Sequence, residues 1–208
     1  MMKIIEIKSG RAKFVLTFDN GGKLAVSKRV LEKFPYSVGS EISDAELKNL
    51  INQDEIFLIK ASALRIISRR EHSVKELKDK LLRKGYSEKN IDLVLEILIR
   101  DNFLNDERFT ELYVRQNFEL KKRSPKVIRY NLSKLGIDNS LVDKYLSEID
   151  EDKIFKNALD LAIKKLKSVS KKSKEKQLFA VRNFLLYRAF PNDVINKTLT
   201  EIKERLGA

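Results

Sequence analysis

Residues 3–27 alternate apolar and polar positions in the manner of strands. KIIEIK (3–8), AKFVLTF (12–18) and KLAVS (23–27) read as three short strands. Ser9-Gly10 separates the first pair and Asp19-Asn20-Gly21-Gly22 the second. The second break offers residues that accept a positive φ, as a tight hairpin needs. A short helix is expected over VLEKF (30–34), before Pro35 and Gly39. Three strands bury little area, so this module needs a helical neighbour to lean on. From Ser43 the apolar period becomes helical. Ser43-Asp44-Ala45-Glu46 fits a capping box, in which the Ser and Glu side chains satisfy orphan backbone donors. Leu47, Leu50, Ile51, Leu58, Ala61, Leu64 and Ile67 then mark an apolar stripe, with a break expected near Asn52–Asp54. Nothing after residue 43 reads as a strand.

The helical part repeats itself. HSVKELKDKLLRKGYSEKNIDLVLE, starting at His72, superposes on RSPKVIRYNLSKLGIDNSLVDKYLS, starting at Arg123. Ser73 falls on Ser124, Lys75 on Lys126, Leu77 on Ile128, Leu81 on Leu132, Gly85 on Gly136, Ile91 on Val142 and Leu95 on Leu146. A fainter third copy places Val181, Leu185, Phe190, Ile195 and Leu199 opposite Leu77, Leu81, Tyr86, Ile91 and Leu95. There Ala189 stands for the glycine and Pro191 for Ser87, and the Ser-x-Lys is lost.

Each copy predicts a long lead-in helix (about 55–71, 106–122 and 151–169) and then two shorter ones. Ser73 with Glu76, or Ser124 with Pro125, starts the second helix, and Gly85 or Gly136 ends it. Ser87 or Asp138 caps the third. The predicted fold is mainly α, with tandem three-helix repeats in an elongated curved array and a small N-terminal β-rich module. The expected boundaries are residues 1–42 for the β module, 43–104 for the first unit with its lead-in helix, 105–149 for the second and 150–208 for the third.

Composition narrows the function. Hydrophobic residues are 42% of 208, enough for a packed core, and only 7 Gly and 3 Pro interrupt the helices. The absence of cysteine removes disulfides, thiolate catalysis and Cys-ligated zinc, and a single histidine leaves transition metals short of ligands. No cofactor and no metal are expected. No apolar run is long enough to span a membrane, and the N-terminus lacks a signal-peptide core, so a cytoplasmic protein is expected. The net charge of +13 points to an acidic partner: DNA, RNA, an anionic membrane, or an assembly that contains nucleic acid. A membrane surface fits least, because no cationic helix carries an unburied apolar face in its pattern.

No catalytic residue is expected. His72 lies in a connection between helices, and the second copy has Arg123 there, which fits an interhelical or basic contact better than proton transfer. The carboxylates sit at helix starts or opposite Lys, and no phosphate loop, dinucleotide fingerprint or paired-acid motif occurs. The basic residues are the candidates for binding: Arg65, Arg69, Arg70, Lys75 and Lys78 in the first copy, and Arg115, Lys121, Lys122, Arg123, Lys126 and Arg129 in the second. Lysines 164, 165, 167, 171, 172, 174 and 176 form a third cluster that reads equally as an anion contact or a flexible connection. Phe103, Phe109, Tyr113, Phe118, Tyr130 and Tyr145 fall on apolar helical positions, so they are expected in cores, and no alternating aromatic platform for single strands is apparent.

Two segments, ALRIISRREHSVKELKDKLLRKGY (63–86) and FLNDERFTELYVRQ (103–116), followed by RSPKVIRYNLSKLGI (123–137), resemble the RecX family of bacterial RecA regulators. The resemblance covers about residues 55–150 and thins over 151–208; the β module looks like an extension carried by some members. It implies a helical modular protein with no enzymatic activity. Such a protein would lodge in the groove of the RecA–single-stranded-DNA filament. It would lower ATPase and strand-exchange activity and hinder filament growth, in recombination, repair and the SOS response. The implied partners are RecA and single-stranded DNA, with duplex DNA bound weakly, and the chain acts as a monomer. The competing reading is a direct DNA-binding regulator independent of RecA, in which 75–84, 85–86 and 87–98 would form a helix-turn-helix. Against it, KNIDLVLEILI is nearly all apolar where a recognition helix should be polar.

Overall fold

The computed structural model describes residues 1–207, which form two compact units, Met1–Leu104 and the chain from Asn105 onward. The first unit opens with β1 (Met2–Ser9), β2 (Lys13–Phe18) and β3 (Lys23–Ser27), paired antiparallel. Gly21, at φ 81°, turns the β2–β3 hairpin. A fourth short strand, β4 (Glu41–Ile42), pairs with β1 and makes the sheet order β3-β2-β1-β4. Its two residues are too few to leave a sequence signal. The small helix α1 (Lys28–Leu31) begins earlier than the apolar segment suggested.

Helix α2 (Asp44–Ile67) starts with the expected capping box: the Ser43 hydroxyl accepts from the Glu46 amide, and the Glu46 carboxylate accepts from the Ser43 amide. It runs without the expected break at Asn52–Asp54. The polar residues there reach outward to other elements instead. Buried Asp54 accepts the Ser27 amide at 2.8 Å, Asn52 accepts from Asn90 at 2.7 Å, and Glu55 accepts the Ser87 amide at 2.8 Å. Up to Phe57, α2 covers the sheet core of Ile4, Leu16, Phe18, Val26 and Ile42 with Leu47, Leu50 and Phe57. Its C-terminal half presents Ile59 and Ala63 to α3 (Val74–Leu82) and α4 (Glu88–Arg100). One helix therefore serves two cores, and the stripe is not the one the pattern suggested: Ile51 and Ala61 face solvent.

Ser73 caps α3 by accepting the Glu76 amide, and the Glu76 carboxylate accepts from the Arg70 guanidinium. Ser87 precedes α4 without capping it; its hydroxyl donates to Glu55 at 2.6 Å. Leu77, Leu81, Ile91, Val94 and Leu98 are fully buried between these helices.

In the second unit, α5 (Asp106–Arg115) passes into a π turn, Gln116–Leu120. Next come α6 (Pro125–Lys134), capped by Ser124 with Pro125 at its first position, and α7 (Asn139–Ser147), capped by Asp138. Then follow α8 (Glu151–Ser168), α9 (Lys174–Tyr187) and α10 (Asn192–Leu206). Ile128, Leu132 and Val142 are fully buried in the first of these triplets, and Val181 and Leu185 in the second. Gly85, Gly136 and Ala189 all adopt positive φ at the end of the middle helix. The third copy thus keeps the left-handed turn after losing the glycine. The lead-in helices are shorter than expected at their ends, because Ser68–Ser73 and Lys121–Ser124 form the connections.

Candidate nucleic-acid and partner interface

The candidate cations sit where one helix hands over to the next, and the two junctions are built differently. At the first, Arg65 lies in the last turn of α2, and Arg69 and Arg70 follow it on the exposed connection. His72 is buried, at 2% exposure. Its Nδ1 lies 2.9 Å from the Arg70 carbonyl, which can only accept, so Nδ1 carries the proton. Nε2 is then free to accept from Lys80 Nζ at 2.6 Å. Burial pushes the His72 pKa below its ordinary value; the Arg70 carbonyl and Glu76 oppose this, while the Arg70 and Lys80 charges add to it. The imidazole is therefore a neutral interhelical tie. Burial alone would raise the Glu76 carboxyl, but the hydrogen bond and charge of Arg70, with the Lys80 ammonium, hold it below the usual range.

These contacts sort the first-copy candidates. Arg70 is engaged by the Glu76 carboxylate and the Glu71 carbonyl. Lys78 is held between Glu88 at 2.8 Å and Asp92 at 2.7 Å. Lys75 is exposed on the outer face of α3. Arg65 and Arg69 are exposed, and their side chains have no hydrogen-bond or ion-pair partner among the described residues.

The second junction is a widened turn. The Lys121 amide donates to the Gln116 carbonyl at 3.3 Å and the Arg123 amide to the Asn117 carbonyl at 2.9 Å. Between them Lys122 adopts a left-handed φ of 51°, unusual for a residue with a side chain. π turns of this kind occur often at functional positions in helices. Lys122 is ion-paired with Asp160 of α8, and its charge holds the Asp160 carboxyl below the usual range. Arg115 pairs loosely with Glu119 at 3.6 Å, and Arg129 pairs with Asp143 at 2.5 Å. Lys121 and Lys126 are exposed and Arg123 is half-buried; no ion-pair partner accompanies any of the three among the described residues. An open cleft of about 540 Å³ lies beside the turn. Its rim mixes Arg115, Lys122, Lys153 and Lys156 with Glu111, Glu119, Glu148 and Asp160, so it has no single sign of charge.

Ser124, between Arg123 and Pro125, is fully buried, and its hydroxyl donates to the Arg188 carbonyl at 2.9 Å. This bond brings the end of α9 against the second junction. The connection after α8 is a tied turn. Gln177 Nε2 donates to the Ser170 and Lys172 carbonyls at 3.1 and 2.6 Å, and Val169 is buried.

Of the aromatic residues expected in cores, Phe109 and Phe118 are buried and Tyr113 and Tyr145 half-buried. Phe103 and Tyr130 are instead exposed, at 52% and 59%; Tyr130 lies under the Lys134 ammonium at 4.4 Å. Sequence reasoning missed Phe179 and Tyr187 on α9, exposed at 67% and 91%. A signal existed. In the repeat register Phe179 falls on Lys75 and Lys126, and Tyr187 on Arg83 and Lys134, all outward-facing.

Helix α4 buries Ile91, Val94, Leu95 and Leu98, which leaves no cationic face to enter a DNA groove. Among the described residues, no group of His, Cys, Asp and Glu could hold a metal ion, and no helix is long and apolar enough to cross a membrane.

Two descriptions of protein-family domains match the chain: "RecX, first three-helix domain" over residues 60–98 and "RecX, second three-helix domain" over residues 105–146. The chain is 32% identical over 179 residues to a regulatory protein RecX of Clostridioides difficile, covering 86% of this chain and 84% of that one. It is 34% identical over 174 residues to a regulatory protein RecX of Clostridium tetani, covering 83% and 79%. A crystal structure of a regulatory protein RecX shares the fold with a TM-score of 0.70 at 20% identity, covering 95% of this chain and all of that one.

Proposed function

Because this chain belongs to the RecX family, whose members are regulatory proteins, we propose that it binds RecA filaments on single-stranded DNA and lowers their ATPase, strand-exchange and growth. The observation that carries this reading is the second junction. Lys121, Arg123 and Lys126 stand within six residues around the start of α6, without ion-pair partners among the described residues. Capping needs only Ser124 and Pro125, which already start the helix, so three unneutralised cations beside them exceed the structural requirement. Phosphates of a nucleoprotein filament would supply the missing anions. Arg65 and Arg69 offer the corresponding contact in the first copy, with Lys75 exposed on the neighbouring helix, and Arg70, Lys78, Lys122, Arg115 and Arg129 a weaker one through their existing pairs. The protein acts in the cytoplasm as a regulator and has no catalytic step of its own.

ATP hydrolysis by RecA on single-stranded DNA, followed as the protein is added, tests this. Progressive inhibition is expected. Unchanged hydrolysis at equimolar protein would remove the proposal. Sequence-selective binding to bare duplex DNA would favour the regulator independent of RecA, but the burial of α4 argues against it.

A further inference from the structure

The outward face of α9 departs from the outward faces of α3 and α6. Where those carry Lys75 and Arg83, or Lys126 and Lys134, α9 carries Phe179 and Tyr187; Arg182 keeps the cation of Lys78 and Arg129, and Leu186 stands at the position of Leu82 and Ser133. Phe179, Leu186 and Tyr187 are exposed at 67%, 43% and 91%. A surface helix exposes such large apolar side chains at a cost, so they mark an interaction face. The chain that leads into α9 and runs along it is cationic. Residues 164–188 hold lysines 164, 165, 167, 171, 172, 174 and 176 with Arg182 and Arg188, against the single acid Glu175. No salt bridge engages these cations among the described residues. Lys165 and Arg188 both stand over the ring of Phe184, at 5.7 and 4.8 Å, and Phe184 is itself half-buried against the core. The Ser124–Arg188 bond then joins the C-terminal end of α9 to the Lys121–Lys126 cations.

We propose that the outward face of α9, joined to the second junction through Ser124 and Arg188, is a stacking surface for single-stranded nucleic acid. Bases present apolar faces and the backbone presents charge, and this face offers rings and cations in the same place. Phe179 and Tyr187 are roughly 12 Å apart along the helix at 1.5 Å per residue, enough for each to take a different base. The cations in and before α9 call for an anionic occupant, and α9 departs from the expectation that no cationic helix carries an unburied apolar face. The inference deepens the function proposed above and takes from it only the single strand as ligand; it requires no RecA.

The test is fluorescence anisotropy of labelled oligothymidylate and oligouridylate with the full chain, across a salt series and without RecA. Tyr187→Ala and Phe179→Ala are each expected to weaken binding about five- to a hundredfold, the range of one lost base stack. Both side chains are exposed, so thermal melts should not move. Tyr187→Trp should retain binding, and its emission should be quenched at the same midpoint as the anisotropy. Replacing Lys171, Lys172 and Lys176 by Ala should flatten the salt dependence by roughly 0.7 per lost phosphate contact. The inference is overturned if the wild-type chain binds neither oligonucleotide, or if both aromatic variants bind as well as wild type. Aromatic variants that bind oligonucleotide normally but no longer inhibit RecA would make the face a protein-docking surface and overturn it as well. Oligonucleotide binding without any RecA inhibition would remove the regulatory reading and leave this one standing.

Discussion

The Asn157 side-chain amide on α8 donates to the Phe118 carbonyl in the π turn at 3.0 Å. The left-handed Lys122 takes the chain away from the helix, so the donor that would otherwise reach this carbonyl is lost, and Asn157 replaces it. Asn157→Ala should leave a buried carbonyl without a partner and cost about 1–3 kcal/mol. Urea denaturation measures this directly. An unchanged midpoint would mean that the turn holds its shape without α8.

The left-handed residue that ends the middle helix recurs as Gly85, Gly136 and Ala189, at φ 83°, 78° and 55°. A Cβ at Gly85 would touch nothing within 4 Å, so Gly85→Ala isolates backbone strain, about 1–2 kcal/mol. Ala189 already bears that strain. Ala189→Gly should relieve it, less the about 0.4–1 kcal/mol lost to greater unfolded-chain freedom. The expected result is a melting temperature equal to or above wild type. A clear fall would show that the Ala189 methyl contributes packing that outweighs the strain.

Most of the fold is legible because its punctuation is local. Ser43, Ser73, Ser124, Asp138 and the two helix-ending glycines act within four residues of themselves, and the repeat register places Leu81, Leu132 and Leu185 in cores without knowledge of the tertiary structure. What the sequence pattern conceals is long-range. Asn52, Asp54 and Glu55 resemble a helix break until Ser27, Ser87 and Asn90 are seen to meet them. The candidate site shares this property. Which cations lie around the junctions is a matter of spacing; that Lys78, Lys122 and Arg129 are already paired depends on Asp92, Asp160 and Asp143, which lie on neighbouring helices. Tyr130 and Phe179 were hidden for a different reason: an aromatic residue at helical spacing does not reveal which side of the helix the core occupies.

His72 is the chain's one histidine, and no other side-chain type has an ordinary pKa between about 5 and 8. Its folded-state pKa lies below the ordinary value, since burial disfavours the imidazolium and the Arg70 and Lys80 charges repel it, while the Arg70 carbonyl and Glu76 only partly compensate. The unfolded chain therefore binds the proton first as the pH falls through about 6.5. This contribution to stability is complete above the unfolded pKa and is lost as the pH drops toward the folded one. The shifted carboxylates, Glu46, Glu55, Glu76, Glu107, Asp138, Asp160 and Glu175, are all lowered and titrate well below this window. Urea midpoints taken between about pH 7.5 and about pH 5.5 should fall for the wild-type chain and stay level for His72→Gln. Equal slopes for the two proteins would show that the imidazole is not held neutral.

Pairing also ranks the cations for binding. A lysine that meets solvent carries condensed or diffuse anions, and its contact with a phosphate releases a counterion from the nucleic acid. A lysine already held by two carboxylates must break those pairs first, and the acids then need cations of their own. Lys121→Ala and Lys126→Ala should therefore each reduce the salt slope of single-strand or filament binding by roughly 0.7, whereas Lys78→Ala and Arg129→Ala should change it less. Exposed pairs contribute only about 0–1 kcal/mol, so none of the four substitutions should lower the melting temperature appreciably. Slopes measured from Kd against salt concentration decide the matter. If Lys78→Ala flattens the slope as much as Lys121→Ala, then Glu88 and Asp92 release their lysine on binding, and exposure rather than pairing governs which cations meet the phosphates.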